Sequence, residues 1–256
     1  MATHQSLHRA VAILREFSEM EPALTVGELS ERVGLHKSTV SRILSALLED
    51  GMVWHNTETG RYSLGMAVVE MAGVALGQID VRAAALPHIE SLAADSNETV
   101  SVLVPRGREV MTVAHRPSSQ PIRHVVWIGR RIPLRTTASG KVILASMHAA
   151  GDDWRSTLGV LPEDRTASWE ARLRKDLEAI TRLGFAEEVD EFEQGTSAVA
   201  VPVLDGDGRA LAAISVSGPS DRFNGAKRKQ IRPRLLEAAG RVATTLGAQR
   251  PVGTST

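Results

Sequence analysis

The six residues Lys37-Ser38-Thr39-Val40-Ser41-Arg42 hold two cations and three short hydroxyls. Hydroxyls and helix-terminal amides contact phosphate oxygens, while Lys and Arg neutralise a phosphate or read the acceptor edge of a guanine. Helical spacing places Val40, Ile43, Leu44, Leu47 and Leu48 on one stripe and Lys37, Ser38, Ser41, Arg42 and Ser45 opposite it. Residues 1–64 carry six Lys+Arg against eight Asp+Glu, so this region is not basic as a whole. Yet no acid falls between Arg32 and Leu48, and the positive field is local to the proposed contact surface. Arg61, with Asn56 and Thr57, offers a further contact with a duplex backbone or minor groove.

Other polar groups later in the chain could meet a small molecule. Ser215 and Ser217 alternate with Ile214 and Val216, so both hydroxyls share one face of a strand. The segment Thr136 to Lys141 resembles a phosphate loop but lacks its pattern, because Arg135 and Val142 stand where Gly and Ser/Thr are required. It reads instead as a helix start capped by Thr137 or Ser139, whose free amides favour an anion. Glu187, Glu188, Asp190, Glu191 and Glu193 read mainly as a solvated acidic loop, and Arg116, Arg123, Arg130, Arg131 and Arg135 mainly as a solvated strand-and-loop surface, the alternative being a rim that attracts carboxylates. His4 and His8 stand at i, i+4, but the eight His form no HExxH, and there is no Gly-x-Ser-x-Gly. No metal site and no cofactor are expected. An enzyme on the second domain, small-molecule-binding or metal-dependent, is the competing class, and a protein-interaction module is a third.

The elements that must position these groups can be read from periodicity. Gln5 to Ser18 is a helix. Thr25 caps a short second helix, with Glu28 completing a capping box and Gly34 ending it. A third helix runs from His36 to Glu49. Met52 to His55 and Arg61 to Leu64 flank the polar turn Asn56 to Gly60 as a hairpin. Two helices joined at a Gly and followed by a hairpin make a winged helix-turn-helix. Leu64 to Gln78 is a linking helix. Beyond it, Val81 to Ala94 is helical with a kink or restart at Pro87. Strands cover Thr99 to Val104, Glu109 to His115 and Ile122 to Ile128, with helices at Ala138 to Ser146 and Trp169 to Leu183. A hairpin joins Ser197 to Leu204 with Ala210 to Ser217, and a last helix spans Ala226 to Leu246. The fold class is α+β, divided into a winged helix-turn-helix domain (1–64), a linker helix (65–79), a larger second domain (80–249) and a flexible tail (250–256).

Bulk properties narrow the function classes. Lys+Arg and Asp+Glu balance at 30 each, which excludes a bulk nucleic-acid or membrane binder. There is no cysteine, which removes disulfides, thiolate metal sites and a cysteine nucleophile and suits a reducing compartment. The first ten residues lack an apolar h-region, and Leu64 to Leu76 is too short to span a bilayer, so a cytoplasmic protein is expected.

Taken in order, these motifs resemble the IclR family of bacterial regulators. The resemblance is carried by Leu24 to Ser30, Val33 to Leu44, Gly60 to Gly65, Thr137 to Lys141, Glu187-Glu188, Gly195, Val199 to Val203 and Ala213 to Pro219, and it spans about Leu7 to Leu246. It implies a GAF-like effector domain, an antiparallel sheet flanked by helices. Its pocket would use Ala138, Ser139, Glu188, Ala198, Ser215 and Ser217, and the DNA contacts would be Lys37, Ser38, Thr39, Ser41, Arg42 and Arg61. The implied function is a transcription regulator, repressor or activator. Its operator affinity would respond to a small effector, an organic acid or aromatic catabolite. The implied partners are a roughly palindromic operator and further copies of the chain, as a dimer or dimer of dimers.

Overall fold

The computed structural model describes residues 2–158 and 167–248. The chain divides into two compact units between Gln78 and Ile79.

In the first unit, helix α1 (Ala2–Arg15), α2 (Val26–Val33) and α3 (Lys37–Glu49) pack with a small antiparallel sheet, in the order β1 (Ala23–Leu24), β3 (Arg61–Leu64), β2 (Val53–Asn56). Ile13, Phe17, Leu24, Leu29, Val40, Leu44 and Val53 form its core. Thr25 Oγ1 accepts from the Glu28 amide at 3.2 Å, and the Glu28 carboxylate accepts from the Thr25 amide at 2.7 Å. This closes the capping box that the sequence predicts. Gly34 ends α2 at φ 65°, a left-handed conformation costly for a residue with a Cβ. The turn between β2 and β3 is held by Asn56 Oδ1, which accepts from the amides of Glu58 and Thr59. The hairpin leads directly into α4 (Met66–Gly77). The Gly65 amide donates to Met52 O and the Ala67 amide to Gly51 O, so the start of α4 is fastened to the base of the wing.

The second unit is a six-stranded antiparallel sheet. It comprises β4 (Thr99–Arg106), β5 (Glu109–Arg116), β6 (Arg131–Pro133), β7 (Ala186–Val189), β8 (Thr196–Leu204) and β9 (Ala210–Pro219), in the order β6-β5-β4-β9-β8-β7. Val100, Val102, Val199, Val201, Ile214 and Val216 are fully buried on the face that meets α5 (Asp80–Ser96) and α9 (Gly225–Thr245). Both helices run through an internal proline, Pro87 and Pro233, so the expected restart at Pro87 does not occur. The opposite face carries Leu103, Ala198, Ala200 and Ala213 and is covered by α6 (Ala138–Ala149), on which α8 (Ala167–Leu183) packs in turn. A short α7 (Trp154–Leu158) lies between these two helices in sequence. The small side chains on this face leave room between the sheet and the start of α6.

Two strand expectations are corrected. Ile122 to Ile128 is no strand, because the backbone there is held by side chains instead of a ladder. Thr99 Oγ1 donates to His124 O at 2.8 Å and Arg222 Nη1 to Ile122 O at 3.0 Å. The third strand of this edge is β6, further along. The acidic run is not all loop, since Ala186–Val189 pairs with β8 and turns Glu188 inward. The tail expected to be flexible lies outside the described residues from position 249 onward.

Candidate operator surface and effector cavity

α3 presents Lys37, Ser38, Ser41 and Arg42 to solvent, with Thr39 half-buried and Val40 and Leu44 turned to the core. His36 makes no side-chain cap bond, leaving the first amides of α3 open. Neighbouring acids are already paired: Glu21 accepts from Arg32, and Glu28 from Thr25 and Arg61. These contacts hold both carboxyls below the usual range, the Arg32 hydrogen bond dominating for Glu21 and the Thr25 amide for Glu28. Lys37 and Arg42 have no ion-pair partner among the described residues. Arg61 is placed differently from the other five residues expected to contact DNA. Its guanidinium turns inward, donating to Ala23 O at 2.7 Å and to Glu28, and so ties the wing to α2. It would have to leave those partners to touch a duplex.

In the second unit a cavity opens between the sheet and the start of α6. Ala138, Ser139, Glu188, Ala198, Ser215 and Ser217 all line it, brought together from α6, β7, β8 and β9. Register explains the grouping, since Glu188 lies opposite Ala198 and Ala198 opposite Ser217, one row across three strands. The next row places Ala200 opposite Ser215 and Ser215 opposite Ser101. Thr137 caps α6: its Oγ1 accepts from the Gly140 amide at 3.1 Å and donates to Pro133 O at 2.7 Å.

Sequence reasoning missed part of the lining. Ser101 and Thr112 come from β4 and β5, while His124 and Arg130 come from the segment misread as a strand and a solvated surface. His124 Nδ1 meets Ser217 Oγ at 2.8 Å, and Arg130 stacks over Trp127 at 4.7 Å. Ser101 carried a signal, being a polar residue on the same alternation as Leu103 in an otherwise apolar strand. Arg130 belongs to a cationic cluster that could attract carboxylates, but no periodicity marks a loop that folds over a cavity, so nothing in the sequence places it or His124 in the lining. No group of three or more metal-binding side chains occurs among the described residues, a set that excludes the His4 side chain.

Residues 6–56 match the family described as the IclR helix-turn-helix domain, and residues 73–244 match the bacterial transcriptional regulator IclR C-terminal domain. The chain belongs to the IclR family. It is 32% identical over 248 residues to the HTH-type transcriptional regulator XynR of Escherichia coli, covering 95% of this chain and 97% of that one. A putative transcriptional regulator from Rhodococcus has the same architecture, with a TM-score of 0.81, 25% identity, and 95% of this chain and 98% of that chain covered. An IclR homologue from Microbacterium hydrocarbonoxydans complexed with 4-hydroxybenzoate aligns with a TM-score of 0.79 at 25% identity, over 95% and 100% of the two chains. The IclR assignment makes the first unit a DNA-binding domain and the second an effector-binding domain. The relatives are named as regulators, and nothing in them supports the enzyme alternative. No described helix is long and apolar enough to cross a membrane.

Within the IclR cavity, Glu188 is the group most altered by its surroundings. Burial raises its pKa from 4.5 to about 7, against a hydrogen bond from the Ala138 amide and the charge of Lys141, while Glu191 and Glu193 add to the rise. Because the folded value exceeds the unfolded one, the stabilising preference for the neutral form is complete below about pH 4.5. It is lost as pH rises through about 7. The difference amounts to on the order of 3 kcal/mol at pH 8. The Glu188→Gln variant should therefore gain thermal stability relative to wild type between pH 5 and pH 8. Parallel melting curves for the two proteins over that range would contradict this.

Proposed function

We infer that this regulator binds a roughly palindromic operator as a homodimer, or a dimer of dimers, and that a small organic acid or aromatic catabolite in the cavity shifts its operator affinity. The observation that carries this is the cavity itself. The six positions named by sequence motifs line one space beside two basic side chains and a helix start. A helix N-terminus and Arg130 favour an anion, His124, whose charged form burial disfavours, can donate a hydrogen bond to one, and Glu188 held near neutrality opposes it less than an ordinary carboxylate would. The structural neighbour bound to 4-hydroxybenzoate supports the same chemical class.

Dimerisation is supported by α4. Met66, Val69, Met71 and Val74 are each more than half exposed, and no residue of this helix is buried in the single chain. An almost wholly apolar helix left uncovered in water calls for a partner, and a second copy of itself satisfies both by two-fold symmetry. Lys37, Ser38, Thr39, Ser41 and Arg42 of each copy then enter successive major grooves. The protein acts in the cytoplasm, as a regulator and not as an enzyme.

The test is operator binding with and without candidate effectors. A duplex selected from a random pool should bind in a salt-sensitive, sequence-selective manner. One or more small acids should then change that affinity by roughly 5- to 150-fold. Binding indifferent to sequence, or no response to any small molecule that itself binds the protein, would overturn the assignment.

A further inference from the structure

Two hydrogen-bond donors of the cavity wall already hold a carboxylate, and it is the protein's own. Glu193 places one oxygen on Arg130 Nη2 and the other on His124 Nε2, the latter at 3.1 Å. Nδ1 of His124 lies 2.8 Å from Ser217 Oγ, and Nε2 is within reach of both Glu193 and Arg130 Nη1, the latter at 3.2 Å; with its hydrogen on Nε2 the imidazole donates to Glu193. Arg130 is nearly buried, at 11% side-chain exposure, between Trp127 and Phe192, and a buried guanidinium requires a counter-anion. Glu193 meets that need from outside: it lies in the loop between β7 and β8, at 38% exposure, and does not line the cavity as Arg130 and His124 do. Its carboxylate can therefore return to water.

Ser101 supplies the second observation. It is 96% buried, its Oγ has no hydrogen-bond partner among the described residues, and it lines the same cavity beside Ser215. A buried hydroxyl without a protein partner marks a place where a ligand atom belongs.

We propose that Glu193 is a built-in competitor of the effector: the effector's carboxylate takes Arg130 and His124 from Glu193, and a second oxygen of the effector pairs with Ser101. The inference rests on the effector-cavity reading above and adds the internal competitor and the side chains that meet the ligand's two polar ends. The exchange swaps one carboxylate for another on the same two donors, so the charge around Arg130 is conserved. It also opens the clasp between the segment 117–130 and the β7–β8 loop, because that clasp runs through Glu193.

The test is calorimetric titration of the full chain with acid and amide pairs: lactate and lactamide, 4-hydroxybenzoate and 4-hydroxybenzamide. Propionate and benzoate serve as acids without the second oxygen. For any hydroxy-acid bound, Arg130→Met should weaken binding by about 10-fold or more, the scale expected for a charge-assisted pair. Glu193→Gln should strengthen it about 5-fold by removing the internal competitor, and the amides should be indifferent to Glu193→Gln. Ser101→Ala should weaken the hydroxy-acids about 10-fold and leave propionate and benzoate unchanged. Because Glu193 is exposed, its variant keeps the test valid should Arg130→Met fail to fold. Weakened acid binding in Glu193→Gln, or no acid bound by that variant, overturns the proposal. A neutral compound that binds and shifts operator affinity would also overturn it while leaving the regulator assignment intact. Loss of sequence-selective operator binding would instead strike at the regulator assignment.

Discussion

A chain carrying both Lys37→Ala and Arg42→Ala is expected to lose operator affinity by about 100-fold or more. Each protomer forfeits two contacts, a guanine-edge pairing is worth about 1–3 kcal/mol, and a dimer counts the loss twice. The salt dependence should flatten together with the affinity, because each phosphate contact contributes roughly 0.9 to the logarithmic slope. Folding should be untouched, since both side chains are exposed and have no ion-pair partner among the described residues. Mobility shifts across a salt series, with a melting curve as control, separate these outcomes. If the double variant binds within a few-fold of wild type at the same slope, α3 is not the reading helix.

The second large effect is expected at Gly140. A Cβ there would sit 2.1 Å from Leu134 O and 2.3 Å from Leu134 Cα, both backbone atoms that cannot swing aside. Gly140→Ala must therefore push α6 away from the chain that precedes it, at a cost of about 3 kcal/mol or more. Thermal unfolding of the second unit should fall by roughly 6–12 °C. The start of α6 carries Ala138 and Ser139 into the cavity, so effector binding should fail as well. Gly240→Ala is the control. It lies in α9 of the same unit with open space around its Cβ, and alanine in a helix there should be neutral or mildly stabilising. Equal melting temperatures for the Gly140 and Gly240 variants would mean that the close approach is readily relieved.

Much of the first unit could be read directly from residue order. Thr25, Glu28 and Gly34 mark the ends of α2 by local chemistry, and the apolar stripe of α3 fixes which side must face outward. Arg61 could not be placed that way. Whether an arginine on a hairpin points to solvent or to a carboxylate 33 positions earlier depends on packing, which periodicity does not encode. In the second unit, alternation in β8 and β9 was enough to put Ser215 and Ser217 on one face. The segment 117–130 was misread for a physical reason. Its β-branched and aromatic residues Ile122, Val125, Val126, Trp127 and Ile128 have the composition of a strand, while its carbonyls are satisfied by Thr99 and Arg222 from distant elements. Glu188 likewise looked like one acid among several, and only the register opposite Ala198 sets it apart.

The stretch 117–126 of that segment, fastened by side chains at scattered points while Gly129 and Arg130 are tied to Thr112 through the backbone, has a consequence for how specificity changes over time. A residue inside a ladder cannot be altered without disturbing the strand beside it, whereas positions here can drift one at a time while the sheet stays intact. Duplicated genes could thus acquire responses to new metabolites by rewriting a short stretch of cover, keeping the same scaffold and the same reading head beneath it.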